Sequence, residues 1–355
     1  MGIARAADMD SFFDRALLEA RRLGASDVHL KPGLAPVLRI AGELRTLSAG
    51  PHPLPPLSRE FLHSLGMSLL NDRRRETLER TGDVIVAMAT SNGGRQRAHL
   101  FHHRGGLSLS LRLIPPEVPG FDKLGLPPET RELTDPLTDS GPGLAIVASR
   151  PGNGKTTTIA SLVEDLVKRR TCRVVTVEEP VEYLLRDRDG VVVQREVGTD
   201  VPSTAAALRA ISRQDIDVLV VGDIGDPEVA GLAIESAENG RLVLAGMTAG
   251  SAAQAIERLT ATSDDGSRIP RARLAAVLRG LLFQSLTSVA PNRRRPTGTL
   301  LRVTDETRAR LADETAPLAG VALPGSLPFE PPAEPPRRRR ESEMRDGVED
   351  DAPGD

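Results

Sequence analysis

Aromatic side chains are almost missing from this 355-residue chain: Trp is absent, Tyr183 stands alone and Phe occurs seven times. Alanine, leucine and valine must therefore carry the packing, and a 39% apolar content is enough for a buried core. The scarcity of stacking rings, with a net charge of −3, argues against a nucleic-acid-binding surface, so no direct nucleic-acid partner is expected. Cys172 is the only cysteine, which excludes a disulfide framework and a four-cysteine zinc site. It precedes an apolar strand, Arg173 to Val177, and reads as a small core residue. No stretch approaches the ~20 uninterrupted apolar residues of a membrane span. The N-terminus carries early acids rather than the basic and apolar regions of a signal peptide, so a soluble, cytoplasmic protein is expected.

What is present is organised around Gly143 to Ile159, reading GLAIVASRPGNGKTTTI. An apolar strand runs into a glycine-containing turn, then into Lys155, three threonines and a periodic apolar helix. Strand, glycine turn and Lys-Thr at a helix start form a phosphate-binding loop. The backbone N–H groups of Ser149, Pro151, Gly152, Asn153, Gly154, Lys155, Thr156 and Thr157, Pro151 excepted, with the helix N-terminus, would make a concave anion site. Lys155 would reach the β- and γ-phosphates of ATP, and the Thr156 hydroxyl would serve Mg²⁺. Ser149 stands where the signature has its first glycine, and its Cβ is harmless only if φ there is negative. A chance Gly-Lys-Thr in a surface loop is the plain alternative, and the flanking strand and helix argue against it.

Before this loop, residues 1–114 read as a small α+β domain. It has a helix over 10–23, alternating segments at 25–30 and 37–40, one helix over 58–80 starting at Ser58, and three strand-like runs from 83 to 114. Residues 115–128 are a Pro-rich linker. Residues 129–312 alternate strands and helices, which predicts a mostly parallel sheet covered on both faces, with a last helix over 270–286 and a late strand at 297–303. Residues 313–355, rich in Pro and acids and holding Arg337 to Arg340, are expected to be a disordered tail.

Two acidic strand ends accompany the loop. Glu178-Glu179-Pro180-Val181-Glu182 follows one buried strand, at the carboxyl edge where open α/β sheets bind ligands. There a carboxylate can orient water or the hydration shell of Mg²⁺. Val218 to Val221 ends in Gly222-Asp223, the pattern of a Walker B strand. Arg97, Arg104 and Arg112 on the small domain's late strands would matter as charge clamps only if a neighbouring subunit's nucleotide lay in reach. His29, on an alternating strand, reads as a structural group rather than a ligand.

Taken together these segments resemble the type II/IV secretion ATPases, in their type IV pilus retraction branch. The resemblance rests on GASDVHLKPGLAPVLRIAGELRTL, RAHLFHHRGGLSLSLRLIP, PGNGKTTTIASLVEDL, VEEPVEYL, QREVGTD, ALRAISRQDIDVLVVGD and AIERL, in family order over about residues 10–303. It implies a PAS-like N-terminal domain, a RecA-like P-loop NTPase domain and a homohexameric ring in which ATP hydrolysis drives domain rotation. It also implies a peripheral position at the inner membrane, beside a platform protein of a pilus or secretion machine. By motif, Lys155 and Thr156 take the Walker A roles, Glu178 the water-activating acid, Glu182 the last acid of its box, and Arg97, Arg104 and Arg112 the N-terminal arginines. The departures gather elsewhere. Asp223 replaces a Walker B glutamate, Gly225 an arginine, Arg241 and Thr248 two histidines, and Ala249 a threonine. A carboxylate displaced by about 1 Å can cost ~100-fold in rate. Slow hydrolysis is one expectation; a nucleotide-binding regulatory paralogue that hydrolyses poorly is the alternative.

Overall fold

The computed structural model describes residues 6–48, 53–89, 94–135, 142–211, 213–261, 268–290, 293–318 and 324–330. The Arg337–Arg340 run lies outside them.

The N-terminal part begins with α1 (Ala6–Arg22), followed by β1 (Ala25–Leu30), β2 (Val37–Ile40) and β3 (Glu43–Thr46). Two helices come next, α2 (Arg59–Ser68) and α3 (Asp72–Thr81), and then β4 (Asp83–Ala89), β5 (Arg95–His103) and β6 (Gly106–Ile114). The strands form one antiparallel sheet ordered β3-β2-β1-β6-β5-β4. Alternation decides its faces: Val28 and Leu30, Ala98 and Leu100, and Leu109 and Leu111 are buried in one core with Leu17 of α1 and Leu62 and Leu65 of α2. Each large aliphatic buried this way contributes roughly 1.5–3 kcal/mol. The helix expected over 58–80 is two helices. Ser58 caps the first, accepting from Phe61 N at 3.0 Å, but Asn71 caps a second by accepting from Arg74 N at 2.9 Å.

A short α4 (Phe121–Leu124) and a 3₁₀ turn (Pro128–Thr134) lead to the second sheet. Its elements are β7 (Gly143–Ser149), α5 (Lys155–Arg169), β8 (Arg173–Glu178), β9 (Val191–Glu196), α6 (Thr204–Ile211), β10 (Val218–Val221), α7 (Pro227–Glu238), β11 (Leu242–Thr248) and α8 (Ala252–Leu259). After these come α9 (Arg271–Val277), β12 (Leu278–Ala290), β13 (Arg293–Arg302), α10 (Asp305–Ala312) and β14 (Ser326–Phe329). The strand order is β14-β13-β12-β7-β11-β10-β8-β9, parallel from β12 to β9, with β13 and β14 antiparallel at one edge. The central β7 is buried along its whole length. Leu144, Ile146 and Ala148 face α6, α7 and α8, whereas Ala145 and Val147 pack beneath Ile159, Leu162 and Leu166 of α5. This is a RecA-like P-loop fold behind a PAS-like domain, and it sets the carboxyl ends of β7, β8, β10 and β11 along one rim.

Two stretches differ from the sequence reading. The apolar, helix-favouring segment 270–286 forms one short helix and then the 13-residue β12. Pairing with β7 and β13 satisfies its backbone, and Gly280 lets that backbone sit where an added Cβ would lie 2.9 Å from Leu301 O. The tail expected from residue 313 also supplies an edge strand, β14, paired with β13.

Candidate nucleotide site

The loop between β7 and α5 is shaped by two left-handed glycines, Gly152 at φ 73° and Gly154 at φ 82°. Ser149 is the last residue of β7, and Ala41 is the only non-glycine residue with positive φ among those described. The serine Cβ is thus accommodated in strand geometry, and Ser149 Oγ donates to Arg150 O at 2.9 Å.

Behind the loop lies a group that the sequence reading missed. Gln284 of β12 is 1% exposed; its Nε2 donates to Asn153 O at 2.7 Å, and its Oε1 accepts from Thr158 Oγ1 at 2.9 Å. Asn153 Oδ1 in turn accepts from Leu286 N at 2.8 Å. The phosphate loop is therefore anchored to the neighbouring strand by hydrogen bonds at its turn and on its helix. Nothing local in the sequence signals this, because the strand lies 126 residues from Thr158.

In front of the loop, Lys155 Nζ donates to Thr248 Oγ1 at 3.1 Å and is ion-paired with Asp223. The ends of β10 and β11 thus converge on one ammonium at the start of α5. Arg258 of α8 closes the same rim from below, donating to Thr248 O and, at 3.5 Å, to Gly225 O. It lies in the AIERL segment, to which sequence reasoning attached no role. Pro151 is an exposed turn residue, and Thr156 is half-buried in the first turn of α5. Thr157 Oγ1 meets Tyr183 OH at 3.1 Å, tying α5 to the acidic loop after β8.

Glu178 ends β8, beside Gly222: a Cβ added to that glycine would lie 3.4 Å from Glu178 Cγ. Its Oε1 accepts from Thr176 Oγ1 at 2.6 Å and from Gln194 Nε2 at 3.1 Å. Burial pushes the carboxyl above the ordinary glutamate range. The two donors oppose that shift, and the nearby Glu182 and Glu196 add to it. Glu179 and Pro180 are joined by a cis peptide bond. Glu182 pairs with Arg97 of β5 at 3.1 Å, and Arg95 donates to Val181 O at 2.6 Å and Glu182 O at 3.2 Å. The N-terminal sheet thus touches the acidic loop of the same chain.

The three arginines do not form one group. Arg97 and Arg112 are directly paired across β5 and β6, and Arg112 lies 3.6 Å from Asp27. Arg104 sits exposed in the turn beyond β5, seven residues from Arg97, or about 23 Å of extended strand. His29 Nδ1 is hydrogen-bonded to Ser110 Oγ at 2.9 Å, while its buried Nε2 has no hydrogen-bond partner among the described residues.

The geometry fits a nucleotide and its metal. A Cβ built on Gly152 meets nothing within 4 Å, so this side of the loop faces open space beside the helix N-terminus, whereas Gly154 lies against Gln284 and Leu286. Thr156 and Asp223 offer the hard oxygens that Mg²⁺ prefers, and no group of three His, Cys, Asp or Glu forms a metal cage among the described residues. No described helix is long and apolar enough to cross a membrane.

A RecA-like sheet with a phosphate loop and two acidic strand ends defines a P-loop NTPase. Residues 5–318 match the family described as Type II/IV secretion system protein, and the chain belongs to it. Its relatives place it with the pilus retraction branch. It is 32% identical over 266 residues, covering 75% of this chain and 73% of the relative, to the type IV pilus retraction ATPase PilT of Pseudomonas aeruginosa. It is 35% identical over 262 residues to the uncharacterized protein YggR of Escherichia coli, covering 74% and 77% of the two chains. A crystal structure of the pilus retraction motor PilT with bound ADP superposes with a TM-score of 0.73 at 33% identity, covering 84% of this chain and 85% of that one.

Proposed function

We propose that this chain is an ATP-hydrolysing motor subunit of the pilus retraction class, working as a homohexamer on the cytoplasmic face of an inner-membrane pilus or secretion platform. The observation that carries the reading is the convergence of Lys155, Asp223 and Thr248 at the mouth of an open glycine loop, with Glu178 on the adjacent strand end. ATP supplies the phosphoanhydride bond and, with Mg²⁺, the polarised terminal phosphate. Lys155 leaves its ion pair with Asp223 to hold phosphate oxygens, and backbone N–H groups from Gly152 to Thr157 complete the cradle. Thr156 and Asp223 hold Mg²⁺ or its water shell. Glu178, whose burial raises the proton affinity of its carboxylate, takes a proton from the attacking water. Glu182 and Arg97 couple that acidic loop to the N-terminal domain; Arg112 and Arg104 are the arginines offered toward a neighbouring subunit. Residues 1–114 and 129–312 are the two units that would rotate about the 115–128 linker.

The expected measurement is ATP turnover by the purified protein. Turnover no higher than that of a Lys155→Ala variant rejects the reading. One observation favours a second reading, a nucleotide-binding regulator with little hydrolysis: of the altered positions, Asp223, Gly225, Thr248 and Ala249 cluster at the carboxyl ends of β10 and β11, with Arg241 apart from them at the start of β11. High nucleotide affinity without turnover would select it.

A further inference from the structure

Glu178 is held by more than its strand. Gln194, central in β9, makes three hydrogen bonds with one side-chain amide. Its Nε2 donates to Glu178 Oε1 at 3.1 Å and to Tyr183 O at 2.9 Å, while its Oε1 accepts from Leu185 N at 2.8 Å. The amide is therefore fixed in orientation by main-chain groups on both sides, with its N–H edge aimed at the carboxylate. Thr176, fully buried on β8, sends its hydroxyl to the same carboxylate oxygen at 2.6 Å. Both donors select Oε1, and among the described residues no hydrogen bond reaches Oε2.

We propose that Gln194 is the positioning residue of this site: by pinning Oε1 and the Tyr183–Leu185 backbone together, it presents Oε2 of Glu178 as the oxygen that receives the proton of the attacking water. This rests on the functional reading above. Three features make it more than packing. The pinned loop carries Tyr183, whose hydroxyl meets Thr157 on the phosphate-loop helix, so one amide sets the acid relative to the phosphate cradle. The charged groups facing Glu178 are Glu182 on the loop and Glu196 on β9, both acids, so without neutral donors the carboxylate would swing away from them. Those acids are themselves tied elsewhere, Glu182 to Arg97 at 3.1 Å and Glu196 to Val181 N at 3.0 Å, which leaves Gln194 and Thr176 as the groups that orient Glu178.

The test compares wild type with Gln194→Met and Gln194→Glu, measuring kcat, KM and ADP affinity on the full chain. Met keeps the volume and loses every hydrogen bond; Glu keeps an acceptor for Leu185 N but offers Glu178 a like charge instead of a donor. Loss of acid positioning should lower kcat by about 10-fold to 100-fold in both variants while ADP affinity stays within about twofold. Gln194→Glu should regain rate relative to wild type at the same pH as the pH is lowered and the new carboxyl takes up a proton. A parallel loss of ADP affinity and kcat would make Gln194 a structural residue and overturn the proposal, as would unchanged kcat in an active wild type. If Gln194→Met fails to fold, the ratio of Gln194→Glu to wild-type turnover across pH decides: a flat ratio overturns it. Wild-type turnover no higher than that of Lys155→Ala rejects the functional reading itself, and the proposal with it.

Discussion

Gln284 Nε2 donates to the carbonyl oxygen of Asn153 at 2.7 Å, and through this bond β12 holds the phosphate loop from behind. The amide is buried, so its partners have no water to turn to when it is removed. Gln284→Leu is expected to destabilise the fold by about 1–3 kcal/mol, the cost of leaving buried polar groups unpaired. Nucleotide affinity should fall as the loop loosens. Thermal unfolding and an ADP titration on the same preparation check both effects.

Ser149 is expected to be neutral for binding. It ends a strand and its side chain is satisfied by Arg150 O, so restoring the signature glycine gains no permitted backbone conformation. Ser149→Gly should leave ADP affinity within about twofold and cost roughly 0.5–1 kcal/mol of stability through added backbone freedom. A large gain in affinity would show that the Cβ obstructs phosphate.

The rim of β10 and β11 is where activity should be recoverable. Asp223 and Thr248 both contact Lys155, and each is shorter than the Glu and His that the resemblance puts there. Asp223→Glu combined with Thr248→His should raise kcat by about 10-fold or more, because about 1 Å of misplacement alone can cost ~100-fold. No gain in steady-state turnover would show that these two residues do not limit hydrolysis.

Glu178 gives stability a pH signature. Its carboxyl is raised in the folded protein, chiefly by burial, so the native state binds this proton more tightly than the unfolded chain. Its contribution is fully present below the unfolded value of about 4.3 and is lost as pH rises through the folded value. Glu178→Gln keeps an acceptor for Thr176 and Gln194 and removes the charge. The variant should therefore gain stability relative to wild type between acid and neutral pH, read as a growing difference in denaturation midpoint, while its turnover falls.

Gly246 is held to glycine by backbone rather than by turn geometry. An added Cβ would lie 2.2 Å from Gly222 O, where β11 passes the end of β10. Gly246→Ala is expected to push the two strand ends apart, lower the melting temperature and reduce ATP turnover together. A variant with wild-type melting and turnover would show that the rim tolerates the shift.

Much of the site was legible because its chemistry is local. Lys155 and Thr156 follow a glycine turn in sequence, Glu178 and Asp223 each end a short apolar run, and Ser58 announces the helix it caps. Gln194 and Gln284 were not legible. Each is a polar residue inside a strand with no local motif around it, and its meaning lies in partners that only the sheet brings near, Glu178 for one and Asn153 for the other. The placing of the arginines was not legible either: the motif names Arg97, Arg104 and Arg112 together, while the strands separate the second from the others.

The sequence by itself determined the α/β class, the phosphate loop, the acids at strand ends and the alternation of strands and helices from β7 to β11, since each depends on spacing within a few residues. Tertiary structure decided the rest. The helix expected over 270–286 stops at Val277 and the chain goes on as β12, because pairing with β7 and β13 on both edges outweighs a weak local propensity. The same pairing carries Gln284 under the phosphate loop, so the strand that local preference would have made a helix is the one that holds the site in place.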